Sequence, residues 1–111
     1  MSEAPHRAVE FILKTAPLFA KAKSDRVYIE SFLKSKKSIL MQQASLKGVQ
    51  ALAAQERDAY SDEEYQALLK GLATAVEQEE TLKWQLTAAQ LKIEVWRSEN
   101  ANNRFVDRVN T

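Results

Sequence analysis

The sequence predicts an all-α protein: a short N-terminal helix plus a long antiparallel helical hairpin of coiled-coil character, assembling into an oligomer. Three observations carry that expectation. The 111 residues contain only two Gly and two Pro, the residues that punctuate turns, so the elements should be long. Ala, Leu, Lys, Glu and Gln dominate, and all are good helix formers. Apolar residues also recur in alternating steps of three and four over most of the second half. The length suits a single helical domain spanning residues 1–111.

The first helix is expected over 7–16, where Val9, Phe11, Ile12 and Leu13 cluster. Pro17 disfavours helix at the residue before it and can open the next one. A second, basic helix is expected over 18–57. Its apparent seam is Tyr28, Phe32, Ser35, Ile39, Gln42, Leu46, Val49 and Ala53. The third helix is expected over 62–107. Ser61 with Glu64 three residues on has the form of a capping box, and Asp62, Glu63 and Glu64 place negative charge on the positive end of the helix dipole.

The third helix carries the clearest seam: Tyr65, Leu68, Leu72, Ala75, Glu79, Leu82, Leu86, Ala89, Ile93, Trp96, Asn100 and Asn103. Folding the two long helices about a turn between Tyr60 and Ser61 sets Glu79 against Gln42, Leu72 against Val49 and Leu86 against Ser35. Gly48 and Gly71 then lie almost opposite each other, which reads as close helix approach or a mild bend, or else as a flexible joint. The asparagines at 100 and 103 mark either a fraying helix or amides placed for a partner.

Trp84 lies off this seam, and a second stripe runs from it: Trp84, Ala88, Leu91, Val95 and, further on, Phe105 and Val109. A helix apolar on two faces needs two partners. The second partner is the first helix, another subunit or a ligand. Ten residues of first helix cannot cover the whole stripe, so Trp84, Ala88, Leu91, Val95 and Phe105 are expected to hold a homo-oligomer together.

Chemistry is harder to find. There is no Cys, which excludes disulfides and thiolate metal sites. His6 stands alone near a terminus, and the Glu77–Glu80 acidic run reads as a solvated helix face. No catalytic residues, no metal site and no cofactors are expected. The first twenty residues carry no secretion signal, and no apolar run is long enough to span a bilayer, so no membrane contact and a cytoplasmic location are expected.

The net charge of +1 conceals an asymmetry. Residues 1–57 carry ten Lys or Arg against five Asp or Glu, and residues 58–111 carry six against ten. The first set crowds Lys21, Lys23, Arg26, Lys34, Lys36 and Lys37 into one segment, and the expected register adds Arg97 and Arg104 beside them. Such a cluster suits nucleic-acid phosphates, with Trp84, Trp96 and Phe105 as candidates for base stacking. Ordinary solvated charge accounts for it equally well. Trp96, on the seam, is expected in the core.

The ending "IEVWRSENANNR", after "LKWQLTAAQ" and the acidic turn "AYSDEEY", resembles small helical proteins of tailed-phage recombination modules. The layout is similar to the UvsY-type recombination mediators of T-even phages: a lysine-rich helix ("SFLKSKKSILMQQA"), an arginine and a tyrosine before a turn (Arg57, Tyr60), then a long helix with Tyr65 early and Trp84 midway. The similarity is one of pattern over roughly residues 21–104. The turn is shorter here and the C-terminal tail ends sooner. The resemblance implies a non-enzymatic homo-oligomer that binds single-stranded DNA, helps displace a single-strand-binding protein and loads a recombinase or annealing protein. It puts the DNA-binding lysines at Lys34, Lys36 and Lys37, and a phage-encoded chain in the host cytoplasm. Two rivals stand beside it. One is an adaptor or inhibitor directed at a host protein through the C-terminal helix. The other is a structural coiled-coil protein of the virion.

Overall fold

The computed structural model describes residues 3–110. It is all-α, with α1 over Glu3–Leu46, α2 over Leu52–Tyr60 and α3 over Glu63–Asn110. The chain divides into two compact units. One joins α1 up to Ala20 with α3 from Glu80 onward, and the other is Lys21–Glu79.

The expected break at Pro17 does not occur. α1 runs through it as one helix of 44 residues. An interior proline costs about 3 kcal/mol through its missing N–H and its clash with the preceding turn. Here the ring lies on the exposed side, while Ala8, Ile12, Thr15 and Phe19 run past it as a continuous shielded stripe. Packing along that stripe offsets the local cost. Pro5 sits in the first turn, where its N–H would have no helical partner anyway.

The second correction is where α1 stops. It ends at Leu46 rather than at Arg57 because of Gly48, which adopts φ +102°. The Val49 amide donates to the Ala44 carbonyl at 3.0 Å, and the Gly48 amide to the Ser45 carbonyl at 3.0 Å. That pair of bonds is the Schellman motif, which wants glycine at the left-handed position. Gly48 is therefore a stop signal. Neither glycine serves close approach, since a Cβ at position 48 or 71 would meet nothing within 4 Å. After the stop the chain turns into α2, tied back by Gln55, whose buried amide donates to the Val49 carbonyl at 2.8 Å.

The cap of α3 moves by one residue. Asp62, not Ser61, accepts the Tyr65 amide, at 3.0 Å. Ser61 instead closes α2, its hydroxyl donating to the Asp58 carbonyl. Glu63 and Glu64 do fall in the first turn, where the dipole favours them.

Along α3, the expected seam from Tyr65 to Asn100 is buried or half-buried at every position, and Asn103 alone of the set is exposed. On α1 the expected frame fails. Tyr28, Phe32, Ser35, Ile39, Gln42 and Leu46 all face solvent. The shielded frame lies one residue over: Ala22, Arg26, Ile29, Leu33, Lys36, Leu40 and Ala44. In the Lys21–Glu79 unit, α1 and α3 pack antiparallel. Arg26 reaches Glu79 and Lys36 reaches Glu64. Glu79 thus faces Arg26 and not Gln42. A seam carboxylate gains far more from a guanidinium fork than from a neutral amide. The cores are thin: among the described residues, five of the seven buried apolar ones are alanines. The other unit shields Ala8, Ile12, Thr15 and Phe19 of α1, and Leu82, Leu86, Ala89, Ile93 and Trp96 of α3.

Candidate nucleic-acid interface

The candidate cations of α1 divide into those the fold uses and those it leaves free. Arg26 belongs to the first group. Its Nε and Nη2 engage the two carboxylate oxygens of Glu79, the latter at 3.2 Å, while Nη1 donates to Glu30 at 3.1 Å. The hydrogen bond to Glu79, and then that to Glu30, hold the guanidinium proton more firmly than usual. One cation between two carboxylates is a net negative site, unsuited to phosphate.

Lys36 and Lys37 are also engaged. Lys36 crosses to Glu64, and that hydrogen bond raises its pKa above the ordinary lysine value. Lys37 packs its ammonium 4.9 Å from the Tyr60 ring centre and 3.6 Å from Glu56. Its pKa is raised chiefly by the hydrogen bond to Tyr60, with Glu56 adding charge attraction. Tyr60 in turn meets Tyr65 edge to face at 5.6 Å. These two lysines fasten α1 to α2 and to the start of α3.

The remaining cations are accessible. Lys21 pairs with Asp25 at 3.1 Å, both well exposed, and Arg97 pairs with Glu94 at 3.6 Å. Exposed pairs of this kind are worth about 0–1 kcal/mol and give up a partner readily. Lys23 and Lys34 are exposed and have no ion-pair partner among the described residues. Eleven residues apart, they stand on nearly the same side of α1, about 16 Å from one another. Arg104 is likewise exposed and unpaired, on the other unit.

Searches against protein-family models, curated proteins and solved structures find no match to this chain.

The aromatic candidates divide too. Trp96 is half-buried on the seam, whereas Trp84 is 63% exposed, with Lys83 Nζ 5.8 Å from its ring centre. Phe105 is 65% exposed. Trp84, Leu91 and Phe105 recur at multiples of seven and so share one column of α3, with Val95 beside it. All four face solvent. Ala88 contacts a small cavity, about 580 Å³, between the start of α1 and α3, lined also by Arg7, Phe11 and Lys92. Sequence reasoning assigned Tyr28 and Phe32 to the core. Instead they are a stacked pair at 6.1 Å on the surface of α1. Their heptad spacing was visible, but it does not say which of two neighbouring frames is buried.

Among the described residues, no group of three or more His, Cys, Asp or Glu is placed to hold a metal ion, and no helix is long and apolar enough to cross a membrane. His6 lies exposed in the first turns of α1.

Proposed function

We propose that this chain is a non-enzymatic helical protein of phage recombination that binds single-stranded DNA and assists the loading of a recombinase or annealing protein. The observation behind this reading is the pair Lys23 and Lys34, exposed, without carboxylate partners and on one side of α1. Lys21 faces the opposite side of α1, where it can exchange Asp25 for a phosphate at little cost. Arg97 and Arg104 form a separate patch on α3. Homo-oligomerisation through Trp84, Ala88, Leu91, Val95 and Phe105 would multiply a weak cationic site into a continuous track, since linked sites bind at high effective concentration.

Fluorescence titration of labelled oligo-dT at several salt concentrations tests the reading. Binding should weaken steeply with salt. Each phosphate contact on a single strand contributes about −0.7 to the log–log slope, so Lys23→Ala with Lys34→Ala should flatten it by about 1.4. Absence of binding at low salt would rule the reading out.

A second reading, an adaptor or inhibitor directed at a host protein, is favoured by the exposed stripe on α3. Charged residues are few along it, and Trp84, Leu91 and Phe105 are each more than half exposed. Capture of one host protein by the wild-type chain and not by Trp84→Ser, with oligo-dT binding absent, would favour that reading.

A further inference from the structure

The helix α1 carries two apolar frames and its own chain covers only one. The uncovered frame is Tyr28, Phe32, Ser35, Ile39, Gln42 and Leu46, all exposed, with Tyr28 at 68% and Leu46 at 82%. It lies wholly in the Lys21–Glu79 unit. Ser31, Ser38 and Ser45 recur at sevens along its edge. Four charged residues fall within 28–46, Glu30, Lys34, Lys36 and Lys37, and every one lies outside this face. A helix face about 27 Å long with heptad spacing, no charge and small residues at its edge is built to pack against another helix.

We propose that this face is a two-fold interface: α1 of one copy packs antiparallel on α1 of a second copy, centred near residue 37. Two features commit it to that occupant. The face complements itself when reversed. Tyr28 meets Leu46, Phe32 meets Gln42, and the small Ser35 meets Ile39, so large side chains find smaller or flexible ones at each layer. The ends are complementary in charge. Lys47 has no partner among the described residues and falls within a turn of Asp25 of the second copy, whose exposed pair with Lys21 it can join, while the two Lys36 side chains flanking the two-fold are each neutralised by their own Glu64.

The interface is independent of the α3 stripe and of DNA binding, so it is tested separately. Sedimentation equilibrium compares the wild-type chain with Ser35→Glu plus Ile39→Glu, substitutions at exposed positions, with circular dichroism checking helicity. The charged variant should associate at least 100-fold more weakly at unchanged helicity. A second measurement fixes the register. The chain has no cysteine of its own. Chains carrying Ser35→Cys, mixed with chains carrying Ile39→Cys and oxidised, should give covalent heterodimers at least tenfold faster than either gives homodimers. A wild-type monomer at about 100 μM, or an unchanged association constant in the charged variant, would overturn the proposal. So would heterodimers no faster than homodimers. Loss of oligo-dT binding in the charged variant with its mass unchanged would assign the face to nucleic acid instead and equally overturn it.

Discussion

Arg26 of α1 grips Glu79 of α3 through a two-bond fork, and Glu30 closes on the same guanidinium from its own helix. Glu79 is the one charged residue on the α3 seam, and its side chain is only 11% exposed. It can occupy that position only beside a cation. The fork therefore selects which frame of α1 faces α3.

Removing Arg26 takes the two-bond fork away from a shielded carboxylate. Arg26→Ala should lower Tm by about 5 °C or more for a chain this small. Lys21→Ala, which breaks a solvated pair, should move it by less than about 2 °C. The joint replacement Arg26→Met with Glu79→Leu should recover most of the loss, because two apolar groups of similar size can replace a shielded ion pair. Thermal denaturation followed by circular dichroism reads all three.

The two glycines should respond in opposite directions. Gly48→Ala forces a side chain into φ +102° and should destabilise by about 1–2 kcal/mol. Gly71→Ala lies inside α3, in its third turn, with open space around it and should stabilise by about 1 kcal/mol. Urea denaturation of the two variants checks both signs.

Stability should fall at alkaline pH through Lys36. Glu64 raises the folded pKa of Lys36 above its ordinary 10.5. A raised pKa gives stability that is complete below the unfolded value and lost as pH rises through the folded one. Tm of the wild-type chain should therefore decline above about pH 10.5, and less so in Lys36→Gln. Parallel melts from pH 8 to 12 make the comparison.

How much of this was legible in the sequence differs by helix. On α3 the frame from Tyr65 to Trp96 repeats by threes and fours without a break, with Glu79 its only charged member, whereas the second stripe begins only at Trp84 and is interrupted at Ser98 and Asn102, so periodicity finds the buried side. On α1 two adjacent frames compete. The frame with Tyr28, Phe32, Ile39 and Leu46 is the bulkier, yet the chain buries the one with Ala22, Ile29, Leu33 and Ala44. The deciding information is pairwise, an arginine able to meet Glu79, and hydrophobic spacing does not contain it. Gly48 was readable as a helix stop, but Val49 and Ala53 continue the apparent heptad and mask it. The candidate cations were visible as residues. Which of them the fold consumes follows from the register, and so was not.

Trp84 should report on assembly. It is exposed within the chain while Trp96 is half-buried, so the two differ in access to a quencher. In Trp96→Phe, iodide should quench the remaining Trp84 strongly at nanomolar concentration and at least twofold less at high micromolar concentration if the α3 stripe joins copies. Equal quenching across that range would leave the stripe to another partner.

Light scattering of the chain alone and with oligo-dT at low salt tests the central claim most directly. A mass above that of one chain, rising further with oligo-dT and failing to rise when Lys23 and Lys34 are both alanine, is the expected result. A mass unchanged by oligo-dT would contradict it.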